Sequence, residues 1–185
     1  LAMICREHCD KVFLVEGCTF EGNRANVASV ISVPSGVEVT IQDSVITGNR
    51  NEGGFGAVNV VAAAKPVKLV GKVIITGNTT NGKSQNLHVQ NGTTDGYDVS
   101  GLTAGSSIGV SLEASRITAN KLYFTTAVNA NNAGYFTSDD SAYTIEKNAD
   151  NKLALKLIPV SDHKHDLCGN TDCKGCFACP AGGND

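Results

Sequence analysis

Val37, Val39 and Ile41 alternate with Glu38, Thr40 and Gln42, so one row of side chains is apolar and the other polar. Period-two patterning of β-branched residues predicts a half-buried strand. Ser44, Ile46, Thr47, Gly48 and Asn49 follow at once, and the whole stretch recurs between Ile108 and Asn120. There Ile108, Val110 and Leu112 take the apolar positions, and Ser115, Ile117, Thr118 and Asn120 take the rest. Phe20-Glu21-Gly22-Asn23 and Ile75-Thr76-Gly77-Asn78 repeat the second half, with Val12/Leu14 and Val67/Leu69 as the strands before them. Self-similarity at a period of a few tens of residues marks a stacked architecture.

The glycines of the Gly-Asn steps lie at 22, 48 and 77, so successive units are 26 and 29 residues long. Each unit carries two or three short apolar runs, such as Val27–Val33, Gly56–Val61 and Asn86–Val89, and no stretch with helical periodicity. At about 3.3 Å per strand residue, a unit of this size makes one turn of a wide coil whose strands pair with their counterparts in the next turn. The pattern predicts an all-β chain: a parallel β-helix, a single-stranded solenoid of about four coils over residues 12–126.

The V-x-V-x-I run followed by S-x-I-T-G-N at Val37–Asn49 resembles the coils of right-handed parallel β-helix proteins of the pectin-lyase-like superfold. More closely, it is similar to long repetitive surface proteins of Gram-positive gut bacteria. The resemblance implies a recurrent Asn stacked at a coil corner, its amide bonded to neighbouring turns, here Asn23, Asn49, Asn78 and Asn120. It also implies that a segment like Tyr135-Phe136-Thr137-Ser138-Asp139 closes the stack.

The fourth unit departs from the others. Ala119 replaces the glycine, and an insertion is expected over about 91–105, a common place for binding on a solenoid. Beyond it, Tyr143–Glu146 and Lys152–Leu157 flank Asn148-Ala149-Asp150-Asn151 and predict a β-hairpin, so residues 127–160 are read as a cap. A cap covers strand edges that would otherwise invite aggregation. Residues 1–11 read as the remnant of a preceding coil. Residues 161–185, almost without apolar content, read as a flexible Cys/His-rich linker or tail.

Composition narrows the function. Of 185 residues, 41% are hydrophobic, yet only 5% are aromatic, none is Trp and 20 are Gly, which suits small stacked side chains and tight turns. The net charge of −3, without a basic run longer than two residues, argues against nucleic acid as a partner. No apolar run approaches the roughly 18 residues that span a bilayer, so no membrane insertion is expected. The chain starts at Leu1 without a signal-peptide pattern and is read as a monomeric module of a larger secreted or cell-surface protein.

Candidate chemistry is sparse. The tail holds His163, His165, Cys168, Cys173, Cys176 and Cys179, which are zinc ligand types. Their C-x-x-C pairs overlap, however, and match no ferredoxin spacing. Metal binding, disulfides and unpaired thiols all remain open there, and no metal or cofactor is assigned. Cys18 stands where other units carry Ser44, Val73 and Ser115 and is expected to be a small buried core residue.

Polysaccharide lyases and hydrolases of the β-helix type cluster acids and bases on the outer face of adjacent coils. The outward candidates here are Glu38, Gln42, Asp43, Lys68, Lys72, His88, Glu113 and Arg116. Asp43 aligns with Lys72 and Ala114, so no carboxylate pair recurs on neighbouring coils, and His88 is expected to be an exposed strand residue. Nucleophile-elbow, phosphate-loop and His-Glu-x-x-His motifs are absent from the sequence. The sequence is therefore read as non-catalytic, with no catalytic residue assigned: a structural module, or one that binds a host or bacterial surface glycan or a matrix protein. The alternative is a fragment of a carbohydrate-active β-helix enzyme.

Overall fold

The computed structural model of the protein describes residues 12–26, 30–33, 36–53, 55–60, 66–89, 96–112, 121–126 and 132–158. Its strands build a parallel β-solenoid of about three turns. The first turn runs β1 (Val12–Glu16), β2 (Thr19–Glu21), β3 (Arg24–Ala25) and β4 (Ile31–Val33). The second repeats this as β5 (Glu38–Gln42), β6 (Val45–Thr47), β7 (Arg50–Asn51) and β8 (Val58–Val60). The third has β9 (Val67–Gly71), β10 (Ile74–Thr76), β11 (Thr79–Thr80), β12 (Lys83–Ser84) and β13 (Leu87–Val89). Then come β14 (Tyr97–Leu102), β15 (Ser107–Leu112), β16 (Lys121–Tyr123), β17 (Phe136–Ser138), β18 (Tyr143–Lys147) and β19 (Leu153–Leu157).

Equivalent strands lie side by side in parallel. Strands β1, β5, β9 and β14 form a first sheet, and β2, β6, β10 and β15 begin a second, which β4, β8 and β13 complete. Strand β15 explains how the two halves of the second sheet meet. Its start pairs with β10 (Ile75 beside Ile108), and its end pairs with β13 (Leu87 beside Val110). In earlier turns the chain leaves this sheet, passes through the small third sheet of β3, β7 and β11, and returns. Strand β15 covers the same distance without leaving.

Inward rows of identical register make the core. Phe20, Ile46, Ile75, Ile108 and Phe136 form one row across five strands, and Val15, Ile41 and Leu69 form another opposite. Each fully buried aliphatic side chain contributes about 1.5–3 kcal/mol. The rows are narrow enough that one large ring, Tyr97, spans them; it is fully buried, and its hydroxyl donates to the carbonyl of His88 at 2.9 Å, tying the first sheet to the second. The corner glycines Gly22, Gly48 and Gly77 have φ of +64°, +64° and +67°, a left-handed conformation that a β-carbon disfavours.

Two registers differ from those the sequence suggests. In β1 it is Phe13 and Val15 that align with the inward Val39 and Ile41, so Val12 and Leu14 point outward and are 63% and 56% exposed. Val12-Phe13-Leu14-Val15 is apolar throughout, so alternation cannot choose its face, and a one-residue slip inverts every side chain. In the last coil Ile108 aligns with Ile46 and Ile75 rather than with Val37. The strand equivalent to β5 and β9 is β14, which occupies Tyr97–Leu102 within the expected insertion. Asn91 to Asp95 and Glu113 to Asn120, with Ala119, lie outside the described residues.

At the C-terminal end, β18 and β19 form the antiparallel hairpin around Asn148–Asn151, and β16 adds to its other side. Strand β17 belongs to the coil stack, pairing in parallel with β15. Phe124 meets Phe136 edge to face at 5.7 Å, and Leu153 and Leu155 are buried beneath the hairpin. No helix among the described residues is long and apolar enough to cross a membrane.

Candidate functional site

One corner of the solenoid is a ladder of side-chain amides. The backbone N–H and Nδ2 of Asn23 both donate to Asn49 Oδ1, at 3.0 and 2.8 Å, and Asn49 donates in the same way to Asn78 Oδ1, at 3.0 and 2.8 Å. Asn78 passes the pattern to Asn86 at 2.9 Å through both donors. Asn86 then gives its N–H to Asp139 Oδ2 at 2.8 Å and its Nδ2 to Asp139 Oδ1 at 2.5 Å. Three of the asparagines expected from the resemblance are therefore rungs, while Asn120 lies outside the described residues.

Asn86 and Asp139 are rungs that the repeat pattern missed. Asn86 becomes a rung because β15 runs straight past the corner without an excursion, and the end of the 79–86 loop folds over to take the next rung's place. A glycine permits the close approach. A β-carbon on Gly109 would sit against Asn86 Nδ2 and Asp139 Oδ1. A signal for Asp139 existed: Phe136-Thr137-Ser138-Asp139 matches Phe20-Glu21-Gly22-Asn23 position for position. An ionised aspartate side chain has no N–H to pass on as the asparagines do, so the amide ladder ends there. Burial pushes its carboxyl above the usual range, opposed by the hydrogen bonds from Asn86 and Ser84.

The outer face of the first sheet carries Glu38, Gln42 and Lys68. Glu38 Oε1 accepts from Lys68 Nζ at 2.8 Å, which holds the ammonium pKa above its usual value, and the Asp98 carboxylate adds to the effect. Asp98 was not among the sequence candidates; it aligns with Lys68 in the register of β9 and β14. It also accepts from the N–H and Oγ of Ser100 at 3.1 and 2.7 Å. Gln42 donates to Glu16 at 3.1 Å. Asp43, at φ +45°, turns its Oδ1 to the Lys72 N–H at 2.9 Å, so it closes a corner. Glu113 and Arg116 lie outside the described residues.

His88 is not exposed. Only 2% of its surface is open, because Phe55 stacks on its ring at 5.2 Å and the backbone at Gly56 crosses close above it. Its Nδ1 lies 3.4 Å from Ser111 Oγ, its register neighbour in β15, and Asn59 of β8 is its neighbour on the other side. Asn59, His88 and Ser111 are all buried. Cys18 is half-buried in the first described turn; its N–H donates to Ser44 Oγ at 3.1 Å and its thiol to the Glu16 carbonyl at 3.2 Å. The position it shares with Ser44 is filled in the last coil by Ser106, which accepts from the Val73 N–H at 3.2 Å.

Two further surfaces among the described residues are open to a ligand. The outer face of β2, β6 and β10 is a flat strip where Thr19, Val45 and Ile74 line one row and Glu21, Thr47 and Thr76 the next. At the far end of the ladder a cleft of about 540 Å³ opens between the β11–β12 hairpin and the cap. His163, His165, Cys168, Cys173, Cys176 and Cys179 lie outside the described residues, as do Cys5 and Cys9. Among the described residues no group of three or more His, Cys, Asp or Glu is placed to hold a metal ion. Comparison of the chain with family models, with curated proteins and with solved structures returns no match.

Proposed function

We propose that the chain is a non-catalytic β-helix module of a secreted or cell-surface, adhesin-like bacterial protein, presenting an extended face to a glycan or matrix protein. The observation that carries the reading is the flat strip of threonines, Val45 and Ile74 along the outer side of the second sheet. Hydroxyls at a strand repeat of about 4.8 Å offer a regular set of donors and acceptors to an extended polymer, with apolar patches between them.

A second reading has one observation in its favour. Glu38, Lys68 and Asp98 bring two carboxylates and an ammonium together on the first sheet, the kind of grouping that carbohydrate-active β-helix enzymes use. Against it, a general base must be largely unprotonated near neutral pH, whereas Glu38 keeps Lys68 charged, and the face around it is open rather than cleft-like.

The test is a glycan-array screen on the full chain, with an assay for reducing ends or unsaturated products on the same polysaccharides. Binding without product, weakened by Thr47→Lys or Thr76→Lys, is the expected result. Product release that Lys68→Ala abolishes would replace this reading with the enzymatic one. Neither binding nor product would sink both.

A further inference from the structure

The cleft at the end of the amide ladder is built from separate elements that only the folded chain brings together. The buried core residues Val110 and Leu155 lie behind it, Ser84 stands on the β11–β12 hairpin, and Asp140 and Tyr143 come from the turn that enters the cap. Its volume of about 540 Å³ is within the range of small-ligand sites. The Asp139 carboxylate is already engaged by Asn86 and Ser84 and holds one wall in place. Asp140 is committed differently. Its Oδ1 accepts from the Ala142 N–H at 2.9 Å, and its backbone N–H and carbonyl both bond Ser138 Oγ, so the turn is fixed while the residue is exposed.

We propose that this cleft is a saccharide-binding subsite that takes a neutral sugar residue. The site offers what a pyranose ring needs: the half-buried Tyr143 ring for its C–H face, and serine hydroxyls with a carboxylate acceptor for its hydroxyls. The charge balance selects among sugars. Asp139 and Asp140 against Lys83 leave the cleft net negative, so uronic and sialic acids are disfavoured. A second depression of about 380 Å³ lies across the same turn, again bordered by Asp140 and Tyr143, so a chain of sugars crosses the turn with one residue on each side.

The proposal rests on the glycan-binding reading above but adds a second place to the strip, and the experiment separates the two. The full chain, labelled with ¹⁵N, is titrated with cellohexaose, mannohexaose and N-acetyllactosamine, with oligogalacturonate as the acidic comparison. At least one neutral sugar shifts the amides of Ser84, Ser111, Asp140 and Tyr143, and oligogalacturonate does not. Asp140→Asn retains the acceptor for Ala142, and Tyr143→Phe retains the ring in the cap. Asp140→Asn weakens binding several-fold, Tyr143→Ala weakens it at least about tenfold, and Tyr143→Phe changes it little. Shifts confined to the threonine strip, with binding indifferent to Asp140→Asn and Tyr143→Ala, would overturn the cleft and leave the adhesive reading standing. No shift with any saccharide overturns both.

Discussion

Asn78 shows how much one side chain can carry in this fold. It is buried, accepts two bonds from Asn49, donates to Asn86, and gives further bonds to the carbonyls of Ile46 and Thr76 at 2.8 and 3.1 Å. An unsatisfied buried polar group costs about 1–3 kcal/mol, and Asn78→Ala strands several at once. Its loss should lower stability by roughly 3 kcal/mol or more in urea unfolding, a large share of a typical total of about 5–15 kcal/mol. Asn23→Ala, at the exposed end of the ladder, should cost less than about 1 kcal/mol. Equal costs at the two positions would mean that the ladder does not act as a buried chain. Asn78-Thr79-Thr80 also matches an N-glycosylation pattern, but a side chain so enclosed is a structural rung.

Among the elements, β15 departs most from the repeat, and its departure defines the cleft. Coils that leave the second sheet and return need a corner glycine and an amide rung, whereas β15 passes straight through and needs room for another coil's rung above it. Gly109 supplies that room through close approach, since it does not share the left-handed φ of the corner glycines. Gly109→Ala should therefore press on Asn86 and Asp139 and destabilise by about 1–3 kcal/mol, the usual range for overpacking. Differential scanning calorimetry would read it as a lowered Tm; an unchanged or raised Tm would show that the ladder can move aside. The Glu38–Lys68 pair on the outer face, by contrast, is a surface ion pair of the kind worth about 0–1 kcal/mol.

At the scale of the whole molecule the two ends are unlike. The N-terminal end leaves the outer edges of β1 and β2 unpaired among the described residues and exposes Val12 and Leu14, while the C-terminal end is covered by the β16–β19–β18 sheet and stopped by Asp139. Burial holds the Asp139 carboxyl above its unfolded value of 3.8. Between that value and the raised one the folded chain keeps a proton that the unfolded chain has released, so this group's contribution to stability falls as pH rises through the window. Urea unfolding of the native chain and of Asp139→Asn from about pH 3 to pH 7 should show the native chain losing ground relative to the variant as pH rises. A native chain that gains ground would mean that the bonds from Asn86 and Ser84 outweigh burial.

The sequence by itself determined the β-helix, because Val37–Asn49 writes one coil in local terms: alternation sets the strand, Gly48 the corner and Asn49 the rung. It determined the closing hairpin in the same way, through two alternating runs around Asn148–Asn151. Register was decided only in three dimensions. Val12 to Val15 are all apolar, so pairing with β5, not local pattern, chose Phe13 and Val15 for the interior. Alternation alone matches Ile108 equally well with Val37, but Ser106-Ser107-Ile108 stacks on Val73-Ile74-Ile75, where Ile108 joins the core row and Ser106 Oγ accepts from the Val73 N–H. Burial of His88 depends on Phe55, a loop residue whose ring the alternation of β13 does not foresee. The cleft belongs wholly to tertiary structure, since Ser84, Val110, Asp140 and Leu155 come from different turns, and only the straight run of β15 beneath a folded-over Asn86 brings their elements together.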